Sequence, residues 1–135
     1  MKFKTERLQR EWVELADRGG ILVAVVATVD AAVHLVTGAE AVMTDMFRTE
    51  QEQIDLCEEM GLPHYRSVHE FWRGADFRSV HWTPEQAHDI VGTVNGQFAY
   101  GGRFVVAKIH QKGTAQHLHC QVPPASRAVI WRGGK

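Results

Sequence analysis

The sequence has little of several features that mark particular protein classes. Its two cysteines, Cys57 and Cys120, are too few for a disulfide framework or a four-cysteine zinc site. Basic and acidic side chains nearly balance, 15 against 16, so charge gives no reason to expect a nucleic acid or an anionic membrane as partner. The apolar run over residues 21–29 is too short to span a bilayer, and the charged residues 1–12 are unlike a signal peptide. We therefore expect no membrane insertion and no nucleic-acid partner.

The length of 135 residues is that of one ordinary domain, which we expect to span residues 1–135. Apolar residues at helical spacing predict an amphipathic helix over residues 5–17. Residues 21–36 are apolar almost all round, as in a buried helix, although the density of valine also allows a strand over 21–29. Two capping boxes, which begin at Thr49 and Thr83, predict helices that end near Gly61 and Gly96.

Alternating and β-branched segments predict the strands. We expect strands over residues 41–47, 73–79, 103–110 and 117–122, with a turn at 111–114 and a loop from Pro123 onwards. Helices, single strands and a final strand pair in this order predict an α+β fold, with helices packed against a small, mainly antiparallel sheet.

Histidine is abundant in this chain, with eight residues. His69 precedes Asp76 by seven positions, while His117 and His119 lie two apart, so a strand would direct both side chains to one face. Two imidazoles and one carboxylate are a typical ligand set for catalytic Zn²⁺, which keeps a fourth position for water. We therefore predict that His69, Asp76 and His119 bind zinc. His117 is left for proton transfer or for stabilising an oxyanion.

These residues resemble the superfamily that joins lysostaphin-type peptidases, D-Ala-D-Ala metallopeptidases and the hedgehog signalling domain. The branch of D-alanyl-D-alanine carboxypeptidases and phage L-alanyl-D-glutamate endopeptidases carries Ser-x-His, then Gly-x-Ala-x-Asp, and a late histidine. Ser67, His69, Asp76 and His119 match that pattern. The segment around Arg48 is similar to the family's Tyr-Arg-Ser/Thr segment, in which the arginine contacts the substrate. The resemblance covers residues 42–122.

The resemblance implies a zinc-dependent peptidase that hydrolyses peptidoglycan stem peptides, either as a carboxypeptidase or as an endopeptidase. It also implies that the zinc site lies on the sheet of a hedgehog/D-Ala-D-Ala peptidase-like fold, and that Arg48 and Ser67 bind substrate. Such a chain would be made in the cytoplasm and reach the cell wall by phage lysis or another route. The family's glutamate three positions before the last histidine is Gln116 here, so the catalytic role would fall to His117. Trp72 and Gly74 also depart from the family's glycine and alanine.

Simpler interpretations compete with this hypothesis. His69 and Asp76 could form an ion pair or a cap, and Arg48 could pair with Asp45. A lone histidine is more often a surface or core residue than a ligand, and this is how we interpret His34, His64, His81, His88 and His110. Two other functions fit part of the pattern. One is a histidine-triad-like nucleotide hydrolase or transferase that uses His117-x-His119-x-Gln121, and the other is a non-catalytic zinc-binding module of the same fold.

Overall fold

Four α-helices and seven short strands make up the computed structural model, which describes residues 1–71, 73–99, 105–112, 115–123 and 130–131. The helices are α1 (Glu6–Arg18), α2 (Ile21–Thr37), α3 (Glu50–Glu59) and α4 (Pro84–Gln97), with a 3₁₀ helix at Val68–Phe71. The strands are β1 (Lys2–Phe3), β2 (Val42–Asp45), β3 (Gly74–Arg78), β4 (Phe98–Ala99), β5 (Ala107–Lys112), β6 (Ala115–Gln121) and β7 (Ile130–Trp131).

Five strands form the main sheet in the order β1-β2-β3-β6-β5. The pairs β2–β3, β3–β6 and β6–β5 are antiparallel, whereas β1 runs parallel to β2. The predicted α+β class is confirmed, and the sheet is mixed because of the added strand β1. Strands β4 and β7 form a separate antiparallel pair.

The helices lie close to their predicted positions, although α4 runs through Gly96 and its C-cap is Phe98. Thr49 and Thr83 each form a complete capping box, at the start of α3 and α4. The valine-rich segment is the helix α2 and not a strand, and Gly38 ends it in the left-handed conformation. Four of its valines are buried in the core together with residues of α4, namely Val25, Val26, Val29 and Val33, so burial on several sides outweighs the intrinsic strand preference of valine. Among the described residues, no helix has the length and apolar character needed to cross a membrane.

Three short strands were not predicted from the sequence. Strands β1 and β4 have two residues each, too few for an alternating pattern to show. The prediction that the chain is a loop from Pro123 onwards is wrong at Ile130–Trp131, which pair with β4. Residues 103–104 of the predicted strand and 113–114 of the predicted turn lie outside the described residues. The prediction of a turn at residues 111–112 is wrong, because the strand spans Ala107–Lys112 and continues through them.

The main sheet has two chemically different faces. Ala75, Phe77, Leu118 and Cys120 of β3 and β6 are buried in the same apolar core as the valines of α2; we call this side the helix face. The intervening residues of the same strands point to the opposite side. That side, which we call the site face, presents Asp76 of β3 and His117, His119 and Gln121 of β6, together with Lys108 and His110 of β5.

Candidate metal centre

The register between β3 and β6 places the predicted ligands together. Asp76 is the direct partner of His119 across this antiparallel pair, and Arg78 is the partner of His117. Residues that face one another across such a pair point to the same side of the sheet. His69 enters the site from the 3₁₀ helix immediately before β3. His69, Asp76 and His119 therefore form one group, the ligand cluster, whose donor atoms all lie within 4.8 Å of one another.

Asp76 lies at the centre of this cluster. One carboxylate oxygen lies 2.7 Å from His119 Nδ1, and the other lies 3.4 Å from His69 Nε2. Burial alone would raise the pKa of Asp76, but hydrogen bonds and charge from His119 and His69 outweigh burial and hold its pKa well below the usual range. The carboxylate is therefore ionised, which is the form that binds a cation.

The ring of His69 is held by an outer hydrogen bond. Its Nδ1 lies 2.7 Å from the backbone oxygen of Met46, and because a carbonyl only accepts, Nδ1 carries the proton. The other nitrogen, Nε2, is thereby directed at Asp76. Burial lowers the pKa of His69, but the contacts with Asp76 outweigh it, so the pKa is raised overall. Binding of a metal requires Nε2 without its proton, so a metal and a proton would compete for this position.

The ring of His119 is held in a comparable way. Its Nε2 lies 3.2 Å from Oε1 of Gln121, whose amide nitrogen donates to the backbone oxygen of Val105. The amide therefore presents its oxygen to Nε2, which is placed to donate to it, while Nδ1 faces Asp76. Histidines that bind metals usually donate their second ring N–H to such an outer acceptor, which fixes the tautomer and orients the ring. Both histidines of the cluster have that arrangement.

The spacing of the three donors suits a small cation. Bonds of about 2.0–2.2 Å in a tetrahedral site separate the ligand atoms by roughly 3.3–3.6 Å. The 3.4 Å between His69 Nε2 and Asp76 is in that range. The 2.7 Å contact between His119 Nδ1 and Asp76 would have to open by less than about 1 Å. The cluster could therefore hold a metal ion.

Gly74 allows the 3₁₀ helix to approach β3. A Cβ atom at this position would lie 2.6 Å from Val68 Cγ2 and 3.3 Å from two atoms of the His69 ring. Such contacts force the neighbours to move, so a side chain here would displace a ligand. The close packing of Val68 and His69 therefore favours glycine at this position.

An open cleft of about 380 Å³ leads to the ligand cluster. Its walls include Arg48, Tyr65, Ser67 and Lys108 in addition to the three ligands. The cluster is thus buried on the sheet side and accessible from the cleft, with His69 only 4% exposed and Asp76 8% exposed. A substrate could reach a metal at this position without any rearrangement of the sheet.

His117 lies beside the cluster on the same face of β6. Its Nε2 is 3.8 Å from the Asp76 carboxylate, farther than either predicted ligand atom. It lines the cleft and is half-buried. This position is suited to a group that contacts substrate or water next to the ligand cluster.

The two predicted substrate-binding residues also line the cleft. Arg48 forms an ion pair with Asp45, as the simpler interpretation proposed, and it also donates to Oε1 of Gln53. The hydroxyl of Ser67 accepts a hydrogen bond of 3.2 Å from the backbone nitrogen of His69. Ser67 therefore supports the start of the 3₁₀ helix, and the structure leaves the substrate roles of both residues as predictions.

Sequence reasoning missed several polar residues of the site. Gln121 was considered only as part of the histidine-triad-like motif. His110 was interpreted as a lone surface or core histidine, but it lines the cleft, and its ring centroid lies 5.3 Å from that of His117. The structure pairs His110 with His117, whereas a hairpin with the turn predicted at 111–114 would have paired it with residue 115. The role of the Met46 backbone oxygen could not be predicted, because the type of side chain at residue 46 does not determine where its carbonyl group points.

Comparisons of the chain with protein-family models, with curated proteins and with solved structures found no match. The relation to D-Ala-D-Ala metallopeptidases therefore stays a prediction that depends on the motif residues between 42 and 122. The geometry of the ligand cluster and its cleft is the basis on which a function can be proposed.

Proposed function

We propose that this protein is a zinc-dependent peptidase that hydrolyses peptidoglycan stem peptides. One observation carries the proposal: His69 and His119 each place one ring nitrogen at hydrogen-bond distance from an outer acceptor oxygen and direct the other nitrogen at the same ionised carboxylate, at the base of an open cleft. A simple ion pair needs only one such histidine. Two outer acceptors that fix two rings are the arrangement expected around a metal.

The choice of zinc follows from the donor types. Two imidazole nitrogens and one carboxylate oxygen are a common set for catalytic zinc, whereas Ca²⁺ and Mg²⁺ prefer oxygen ligands. When bound, zinc lowers the pKa of a coordinated water and polarises a substrate carbonyl. The cleft leaves one side of the cluster accessible, which hydrolysis requires.

The remaining residues supply binding and proton transfer in this proposal. His117 accepts a proton from the attacking water or stabilises the oxyanion, because it lines the cleft with its Nε2 only 3.8 Å from Asp76 and is not a predicted ligand. Arg48 contacts a carboxylate or carbonyl of the peptide. Ser67 holds the backbone of His69 and positions the substrate beside it.

The peptide substrate is proposed from the resemblance to cell-wall peptidases, and the cleft supports it. An open cleft beside the edge strand β5 can accept an extended chain, which a closed pocket for a small ligand could not. A peptidoglycan stem peptide with a D-residue near the scissile bond is the proposed substrate.

The test combines metal analysis with digestion of purified peptidoglycan. We expect about one zinc per chain after reconstitution, and fragments in mass spectra that disappear when a chelator is added. His119→Ala should lose both metal and fragments, while His88→Ala, which changes an exposed histidine of α4, should keep both. Absence of any bound transition metal would overturn the proposal.

Two other outcomes identify the rival functions. Zinc binding without turnover on any peptide would indicate a non-catalytic zinc-binding module. Nucleotide hydrolysis that needs His119 but no metal would indicate the histidine-triad-like activity.

A further inference from the structure

Lys108 lies directly beside the ligand cluster, on the edge strand β5. It is the partner of His119 in the antiparallel pair β5–β6, so both side chains point to the site face. The Cβ atoms of such partners are about 4.5–5.5 Å apart. Lys108 also lines the same cleft as His119. A flexible four-carbon stem thus carries an ammonium group at the rim of the proposed active site.

The surroundings of the Lys108 ammonium group differ from those of the two arginines that line the cleft. Arg48 is paired with Asp45, and Arg66 lies 4.0 Å from Glu50. Within the part of the chain that the structure describes, no carboxylate lies within ion-pair distance of Lys108.

The only carboxylate that lines the cleft within the described residues is Asp76, which is enclosed by the histidines. A metal would add further positive charge there. The cleft is therefore cationic at the rim on the β5 side, and it would also be cationic at its base with a metal bound. An anionic group of a substrate is the ligand that this charge pattern favours.

We propose that Lys108 is a specificity-determining residue, which recognises a free carboxylate of the peptide substrate close to the scissile bond. This inference rests on the proposed peptidase function and adds the substrate class, an acidic peptide. Its position next to His119 limits the carboxylate to the residue at the scissile bond or its immediate neighbour. The carboxylate can be the C-terminus of the peptide or an acidic side chain, and the same ammonium would bind either.

The experiment uses one peptide in three matched forms. The first has a free C-terminus and a glutamate beside the scissile bond, the second has a C-terminal amide, and the third has glutamine in place of glutamate. Wild type, Lys108→Met and Lys108→Arg are compared on all three. Lys2→Met serves as the control, because it removes the same charge from an exposed position on β1, at the opposite edge of the sheet.

We expect Lys108→Met to lower kcat/KM about tenfold on the first peptide. On one of the other two peptides, the substitution should change kcat/KM less than about twofold. If that peptide is the amide form, Lys108 recognises the C-terminal carboxylate; if it is the glutamine form, Lys108 recognises the glutamate side chain. Lys108→Arg should retain most of the preference, and raising the salt concentration should weaken it in wild type. Zinc content should not change in any variant. An equal loss on all three peptides, or no loss on any, would overturn the inference.

Binding separates failure of this inference from failure of the proposed function. If wild type cleaves none of the peptides, the proposed function fails. Calorimetry with the same peptides then still tests Lys108, since the inference requires that wild type bind the carboxylate form more tightly and that Lys108→Met lose this difference. If wild type cleaves the peptides and Lys108→Met keeps the same preference, only the inference about Lys108 fails.

Discussion

The helix face and the site face of the sheet come from the same strands but have opposite roles. On β3 and β6, Phe77 and Leu118 are completely buried against helices, whereas Asp76 and His119, one residue away from each, face the cleft. The apolar side contributes stability through burial. The polar side brings together charges that a core could not accommodate. Because side chains alternate between the two faces, the twelve residues of β3 and β6 provide both a rigid support and a reactive surface, and each face can be altered separately.

The largest effects are expected from replacing His117 and His119, which have different proposed roles on the site face. His119→Ala should lose metal and therefore turnover, while His117→Ala should keep the metal and lose about 10²- to 10⁴-fold in rate. The reason is that His119 Nδ1 lies 2.7 Å from Asp76, whereas His117 Nε2 lies 3.8 Å away. Metal content and peptidoglycan cleavage are measured for both variants. If His117→Ala loses the metal and His119→Ala retains it, the two roles are reversed.

On the helix face, Phe77→Ala should act on stability. Phe77 is completely buried, and truncating a buried phenylalanine costs about 3–5 kcal/mol. Urea unfolding measures this loss. His117→Ala, on the adjacent strand and the other face, is the matched control and should change the unfolding free energy far less. A comparable destabilisation by both variants would show that the two faces are not separable.

Substitution of Arg48 tests whether a residue outside the sheet contributes to substrate binding. Arg48→Ala should lower kcat/KM by an amount that corresponds to about 1.5–3 kcal/mol, the contribution of a hydrogen bond to a charged group. Because this variant also removes a donor from Gln53, which is completely buried, Arg48→Lys is the better probe of function. Lysine keeps the charge but cannot form a bidentate contact. Steady-state kinetics of Arg48→Lys that match wild type would show that Arg48 acts only as a structural partner of Asp45.

Gln121 tests the outer support of the ligand cluster. Gln121→Leu removes the acceptor for His119 Nε2 and should weaken zinc binding about 10- to 100-fold. Gln121→Glu keeps an acceptor and should weaken it less. Competition titrations with a zinc chelator measure both, and Gln116→Leu on the same strand is the control. Equal zinc affinity of wild type and Gln121→Leu would mean that the contact with His119 does not support the metal.

The smallest effect is expected at an ion pair outside the sheet, between Arg7 of α1 and Glu52 of α3. Two hydrogen bonds of 2.7 Å join them, and the bond from Arg7 lowers the pKa of Glu52 from 4.5 to about 2. Because the folded-state pKa is the lower one, the stabilisation is present above about pH 4.5 and is lost as the pH falls towards 2. Both side chains are largely exposed, so the contribution is about 0.2–1 kcal/mol.

Glu52→Gln isolates that charge. Glutamine can still serve in the capping box with Thr49, so α3 should form normally. The variant should be slightly less stable than wild type at neutral pH, and the difference should vanish near pH 2. Thermal unfolding as a function of pH measures it. A difference that persists unchanged at pH 2 would assign the effect to the cap and not to the ion pair.

The sequence predicted local structure better than contacts between distant segments. The capping boxes at Thr49 and Thr83 are complete within four residues, so α3 and α4 could be located from the sequence alone. The pairing of β3 with β6 joins Asp76 to His119 over 43 positions, and no local pattern encodes it. The resemblance to a peptidase family predicted this cluster where periodicity could not. Gln121 and the backbone oxygen of Met46 escaped prediction because their role depends on where the two rings point.

The alternation along β6 also determines the chemistry of a residue that the site does not use. Cys120 follows a predicted ligand, yet it points to the helix face, and complete burial raises the pKa of its thiol. It is therefore neither a competing ligand nor a reactive thiolate in the folded protein. The chain's other cysteine, Cys57 of α3, is also buried. Alkylating reagents can modify these thiols only when the surrounding structure opens. The labelling rate of Cys120 therefore reports the opening of the sheet core, and that of Cys57 reports the opening of α3. Both are natural residues of the chain, so no probe has to be introduced.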